Sequence, residues 1–142
     1  MKKLKGIEYK EFPLKNLFKV GDMYYYDGPL TSLFSNTDRE LYIYHWIDCD
    51  KDYNRWMIYK VKLNQIIDYL NEKVSDYHLQ TTSECIYFVD IPTNCELDII
   101  YHNVKKVEVK DIPDDYLSEI GILCEKKLVK DIEKIFDYLK KK

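Results

Sequence analysis

The chain has little arginine, little glycine or proline, and no long apolar run. Only Arg39 and Arg55 of its 142 residues are arginines, and lysine supplies the remaining positive charge. With 22 basic residues against 25 acidic ones, the formal net charge is -3. That balance argues against general duplex-DNA binding, whose affinity rests on neutralising phosphates. No apolar stretch approaches the roughly 20 residues of a membrane-spanning helix, so no span is expected. The start, Met1 to Gly6, is basic, but Glu8, Lys10 and Glu11 follow at once. It lacks the apolar core of a signal peptide, which makes a cytoplasmic protein the expectation. Cys49, Cys85, Cys95 and Cys124 form no CxxC pair and no zinc spacing. Reduced, partly buried thiols are expected in a cytosolic setting. Cys85 and Cys95 flank an expected hairpin, so an approach between them stays open. No GxSxG, Gly-rich phosphate loop, HxH or HExxH occurs, so no catalytic residue, cofactor or metal ligand is assigned.

Aromatic residues are plentiful instead. Seven of the fourteen tyrosines and both tryptophans fall between Tyr24 and Tyr59, around the acidic run Asp48-Cys49-Asp50-Lys51-Asp52. Hydrophobic residues make up 46% of the chain, enough for a genuine core in one domain spanning residues 1–142.

Periodicity gives the element order. Gly21-Asp22 and Asp27-Gly28-Pro29 read as turns around a short strand, Met23 to Tyr26. Leu30 to Phe34 reads as a second strand. Arg39 to Asp48 is the strongest strand, with Leu41, Ile43, His45 and Ile47 on one face and Tyr42, Tyr44, Trp46 and Asp48 on the other. It pairs with Arg55 to Val61 across an acidic tip of roughly six residues. Leu63, Ile66, Ile67, Leu70 and Val74 follow helical spacing, which predicts one helix over 62–74. Cys85 to Ile91, Glu96 to Tyr101 and Val104 to Val109 read as further strands. Asp111 to Leu117 is a turn into a short helical piece, and Leu128, Ile132, Ile135, Phe136 and Leu139 predict the last helix. Lys140 to Lys142 read as a solvated end. Short connections favour antiparallel pairing. The expected fold is α+β, a mainly antiparallel sheet of five or six strands packed with two amphipathic helices.

Three segments, Tyr26 to Leu33, Leu41 to Asp50 and Asp52 to Trp56, carry a pattern written YDGPLTSL, LYIYHWIDCD and DYNRW. This pattern resembles a small family of uncharacterised bacterial proteins catalogued as a domain of unknown function. With Asp114 to Leu117 the resemblance covers about two thirds of the chain. It implies one compact intracellular domain and transfers no activity. Related small proteins occur beside phages and mobile elements, which implies a role in phage defence or counter-defence as an expectation only.

Three functions compete on the residues themselves. Tyr26, Tyr42, Tyr44, Trp46, Tyr53 and Trp56, with Arg39 and Arg55 opening adjacent strands, could hold a small nucleotide-like ligand by stacking and by an arginine fork. The same aromatics could instead dock a partner protein or form a homo-oligomer. Each of those residues also has a plain packing role open to it, and Arg55 could simply pair with Asp48 or Asp52. The third reading is a metal-assisted hydrolase at Asp48, Asp50 and Asp52, with His45 as a base. An EF-hand fails there, because Tyr53 stands where glycine is needed and Tyr59 where the bidentate glutamate should be. The expectation is a non-catalytic binding module.

Overall fold

A computed structural model of the chain describes residues 16–26, 28–93 and 102–141. Six strands form one antiparallel sheet in sequence order: β1 (Phe18–Tyr25), β2 (Pro29–Ser35), β3 (Leu41–Cys49), β4 (Tyr53–Val61), β5 (Ile86–Pro92) and β6 (His102–Val107). Helices α1 (Leu63–Leu70) and α2 (Asp76–Thr82) lie between β4 and β5, and α3 (Ile132–Lys140) follows β6. The α+β class is as expected, with three helices rather than two. Among the described residues, no helix is long and apolar enough to cross a membrane.

Both faces of the sheet are buried. On the first, Leu33, Ile43, Met57, Tyr59 and Phe88 pack with Ile66, Tyr69 and Leu70 of α1, Leu79 of α2 and Ile135 and Leu139 of α3. On the second, Phe34, Tyr42, Tyr44, Trp56, Ile58, Tyr87, Val89 and Ile91 form a separate cluster. Strand alternation divides the β3 and β4 side chains between the faces, as period two requires. A sheet covered on both sides explains why so many tyrosines can be interior.

Several local readings change. Gly21-Asp22 is not a turn, because β1 continues through it, with register shifts on either side. The glycine is needed for close packing. A Cβ there would stand 2.9 Å from Asp131 Cβ and 3.0 Å from Ile135 Cγ1. The chain entering α3 is tied to β1 at this point. Lys130 N donates to Met23 O at 2.9 Å, Asp131 N to Asp22 O at 3.0 Å, and Asp22 N to Asp131 Oδ2 at 2.7 Å.

The helix expected over 62–74 stops at Leu70. Glu72 adopts a left-handed φ of 63°, which ends α1, and Ser75 opens α2 by accepting from His78 N at 3.1 Å. Arg39 does not open β3. It sits in the turn before it at φ 59°, and the strand begins at Leu41. Leu128 does not belong to the last helix, which begins at Ile132. Around the expected turn at Asp111 to Leu117, two single 3-10 turns form, Val109–Asp111 and Asp114–Tyr116. The expected strand Glu96 to Tyr101 and Cys95 lie outside the described residues.

Candidate interaction surface

Arg55 does not open β4, which begins at Tyr53; it is the third residue of the strand and is 2% exposed. Its partner is not Asp48 or Asp52 but Asp90 on β5. Nε donates to Asp90 Oδ1 at 2.8 Å and Nη2 to Oδ2 at 3.0 Å, the bidentate geometry an arginine fork favours. Nη1 donates to Tyr116 Oη at 3.2 Å, and that hydroxyl donates to Asp48 Oδ2 at 2.7 Å. Burial works against the guanidinium, but the hydrogen bonds and charge of Asp90 hold its pKa above the ordinary arginine value. Asp48 reaches this network because the β3–β4 register shifts between Trp46 and Asp48. The extra residue turns Asp48 onto the first face, opposite Arg55, and away from the Tyr42–Trp46 face that alternation alone assigns to it.

Arg39 is engaged at the other end of β3. Its guanidinium lies 4.6 Å from the centre of the Tyr138 ring, and Nη2 donates to Tyr138 O at 3.0 Å. Seven residue steps separate Leu41 from Asp48, roughly 23 Å at about 3.3 Å each. The two arginines therefore do not converge on one small ligand.

The aromatics expected at the ligand surface divide sharply. Tyr42, Tyr44 and Trp56 are 3%, 0% and 5% exposed within the second-face cluster. Tyr44 stacks on Phe34 with ring centres 4.0 Å apart. Trp46 is half-buried, and its indole N–H donates to Asn54 Oδ1 at 3.0 Å. Tyr53 is half-buried as well. Of the eight residues, only Tyr26, at 83%, is strongly exposed among the large apolar side chains.

The acidic tip is committed to its own turn. Asp50 Oδ1 accepts from Asp52 N and Tyr53 N, both at 2.8 Å, which lowers its pKa. Asp48 Oδ1 accepts from Cys49 N at 2.8 Å. Among the described residues, no three His, Cys, Asp or Glu side chains gather as a metal site. The His45 ring is densely surrounded, and burial pulls its pKa down to about 4. Its Nδ1 lies 3.2 Å from Thr31 Oγ1, so it is a neutral, bonded imidazole at physiological pH.

A buried polar group under the first face escaped the sequence. The Tyr59 and Tyr69 hydroxyls are enclosed without a hydrogen bond of ordinary geometry. Burial pushes both well above the usual phenol range. Asp76 is raised too, by burial, with the nearby Tyr69 hydroxyl only partly offsetting it. A carboxyl whose folded pKa is raised contributes its stability below the unfolded value of about 3.9 and loses it as pH rises through the folded value. Asp76→Asn should therefore raise Tm at neutral pH and leave it unchanged in acid. Equal effects at both pH values would contradict this.

Among the described residues, most of the exposed large apolar side chains belong to the segment before α3 and to the end of β1, with Phe18 and Leu63 exposed elsewhere. Ile120, Ile122, Leu123 and Leu128 are 76%, 57%, 45% and 58% exposed. Tyr25, at 51%, closes β1, and Tyr26, at 83%, follows it. Glu125 N donates to Tyr24 Oη at 3.3 Å, and the Lys130 ammonium lies 4.0 Å from the Tyr25 ring centre, tying the two segments together. Ser75 and Leu123 form an isolated bridge that fixes the loop from its other side. The Ile120-Gly121-Ile122-Leu123 run was the available signal, an apolar stretch in neither a helical nor a strand pattern.

The chain matches no family model, no curated protein and no solved structure. Its functional reading therefore rests on its residues and their geometry.

Proposed function

We propose that the chain is a non-catalytic binding module that docks a partner protein on the Ile120–Leu123 loop, Leu128 and the Tyr25–Tyr26 end of β1. The single observation that carries this is the exposed apolar set itself. Large aliphatic and aromatic side chains collected on one surface are the usual mark of an interaction site. The loop is held in place by the Tyr24–Glu125 hydrogen bond and the Ser75–Leu123 bridge, so it presents its side chains in a fixed arrangement. The unpaired thiols of Cys49, Cys85 and Cys124 suit a reducing, cytoplasmic setting.

A nucleotide-like ligand stacked on the β3–β4 face is supported less well. Tyr42, Tyr44 and Trp56 would have to leave a packed cluster, and Arg55 would have to leave Asp90. A hydrolase at the acidic tip would need carboxylates that already serve the turn and Tyr116.

The test is Ile120→Asp with Ile122→Asp in one chain. Unfolding stability should stay within about 1 kcal/mol of the parent, as for surface changes. Affinity for a partner co-purified from the native host should fall at least tenfold, as at an interface centre. Unchanged affinity would contradict the proposal. If sedimentation shows a dimer that the double change dissociates, the partner is a second copy of the chain.

A further inference from the structure

The two edges of the sheet are β1 and β6. An open edge invites another strand unless it is covered, charged or bent. β6 carries Lys105 and Lys106. β1 is covered only in part, because the backbone bonds from Lys130 and Asp131 reach Met23 and Asp22 and stop there. Among the described residues, none pairs with the free edge of Phe18 to Val20. Lys19, the one lysine there, is drawn to Asp22 at 3.2 Å.

Phe18, Lys19 and Val20 also line a groove. It is about 490 Å³, and α3 forms its other wall. Phe18 and Tyr138 meet edge to face at its end, with ring centres 5.9 Å apart. Phe18 is 43% exposed, so this aromatic corner is open. Tyr138 is held rigidly. Its hydroxyl donates to Ser35 Oγ at 2.7 Å, and Arg39 stacks on its ring. Lys134 and Asp137 of α3 line the groove with opposite charges.

We propose that this groove receives an extended peptide segment of a partner, which adds a short strand to Phe18–Val20 and seats an apolar side chain on the Phe18–Tyr138 corner. An edge strand beside a helix is a geometry in which main-chain hydrogen bonds give affinity and alternate side chains give specificity. The register shift between Lys19 and Gly21 bends the edge and limits pairing to a few residues. That disfavours a second copy joined along the whole of β1 and favours a short peptide. The charged wall selects segments that carry charge of both signs around the apolar residue.

A phage-displayed library of random octapeptides, selected against the full chain, tests this. The enriched peptides should share one apolar residue flanked by charges of both signs. In amide-resolved NMR they should shift Phe18, Lys19 and Val20. Phe18→Ala should weaken them about tenfold, the loss expected for an aromatic anchor. Lys134→Glu, an exposed change that spares the core, should weaken the acid-bearing peptides and spare the rest. The Ile120→Asp, Ile122→Asp chain should bind them normally, which separates this site from the docking surface proposed above. The proposal is overturned if no peptide is enriched, if the shifts fall elsewhere, or if Lys134→Glu leaves every affinity unchanged.

Discussion

Replacing Arg55 with alanine should destabilise the fold by about 3–5 kcal/mol, the range for breaking a buried ion pair by removing one partner. Both side chains of the pair are 3% exposed, so solvent screens the pair little. The loss has two parts. Asp90 keeps a carboxylate between strands with its fork gone, and Tyr116 loses the donor that it passes on to Asp48. Urea unfolding should report the change in midpoint at constant slope. Asp90→Ala should cost a similar amount. The double change should cost clearly less than the sum, because each single change strands the same interaction. Additive losses would mean that the pair is not coupled as its geometry requires. A near-neutral Arg55→Ala would mean that the guanidinium is free for a ligand after all.

Tyr44→Ala should also cost about 3–5 kcal/mol, as large-to-small changes of buried aromatic residues do. Tyr44 is fully buried and stacks on Phe34 in the second-face cluster. Tyr26→Ala should change stability by less than about 0.5 kcal/mol, because its side chain is largely in solvent. Both residues belong to one aromatic stretch of sequence, yet their expected effects differ several-fold. The contrast separates core from surface within a composition that looks uniform. A small effect at Tyr44 would mean that the second face is open, and would restore the ligand reading for the hairpin.

Much of the fold was legible because alternation is a local property. Leu41 and Ile43 against Tyr42 and Tyr44, and Trp56 and Ile58 against Met57 and Tyr59, fall on the faces that period two assigns them. Which face is solvated is not local. Both are buried here, and alternation cannot report what covers a face. The bulge at Ile47 is equally invisible, since one unpaired residue changes the sequence pattern little while moving Asp48 across the sheet. Gly21 is ambiguous in sequence for a related reason. Glycine marks a turn or a close approach, and only the position of α3 decides between them. The break between α1 and α2 depends on a left-handed Glu72, which no strong sequence signal announces.

The candidate site was legible in class but only slightly in place. Aromatic abundance pointed to binding, yet of the eight expected residues only Tyr26 is strongly exposed on the proposed surface. Arg39 and Arg55 opened adjacent strands on paper, but tertiary partners claimed each one: Tyr138 from the last helix and Asp90 from a strand 35 residues on. The Ile120–Leu123 loop carried no periodicity and so no apparent role. Its exposure follows from the turns on either side of it, which are set by long-range contacts to Ser75 and Tyr24.

Hydrogen–deuterium exchange on the chain, alone and saturated with its co-purified partner, tests the central claim most directly. Protection should appear at residues 120–128 and 24–26, while β3 and β4 around Tyr44 and Trp56 exchange slowly in both states. Protection that appears on β3 and β4 instead, with residues 120–128 unchanged, would contradict the account.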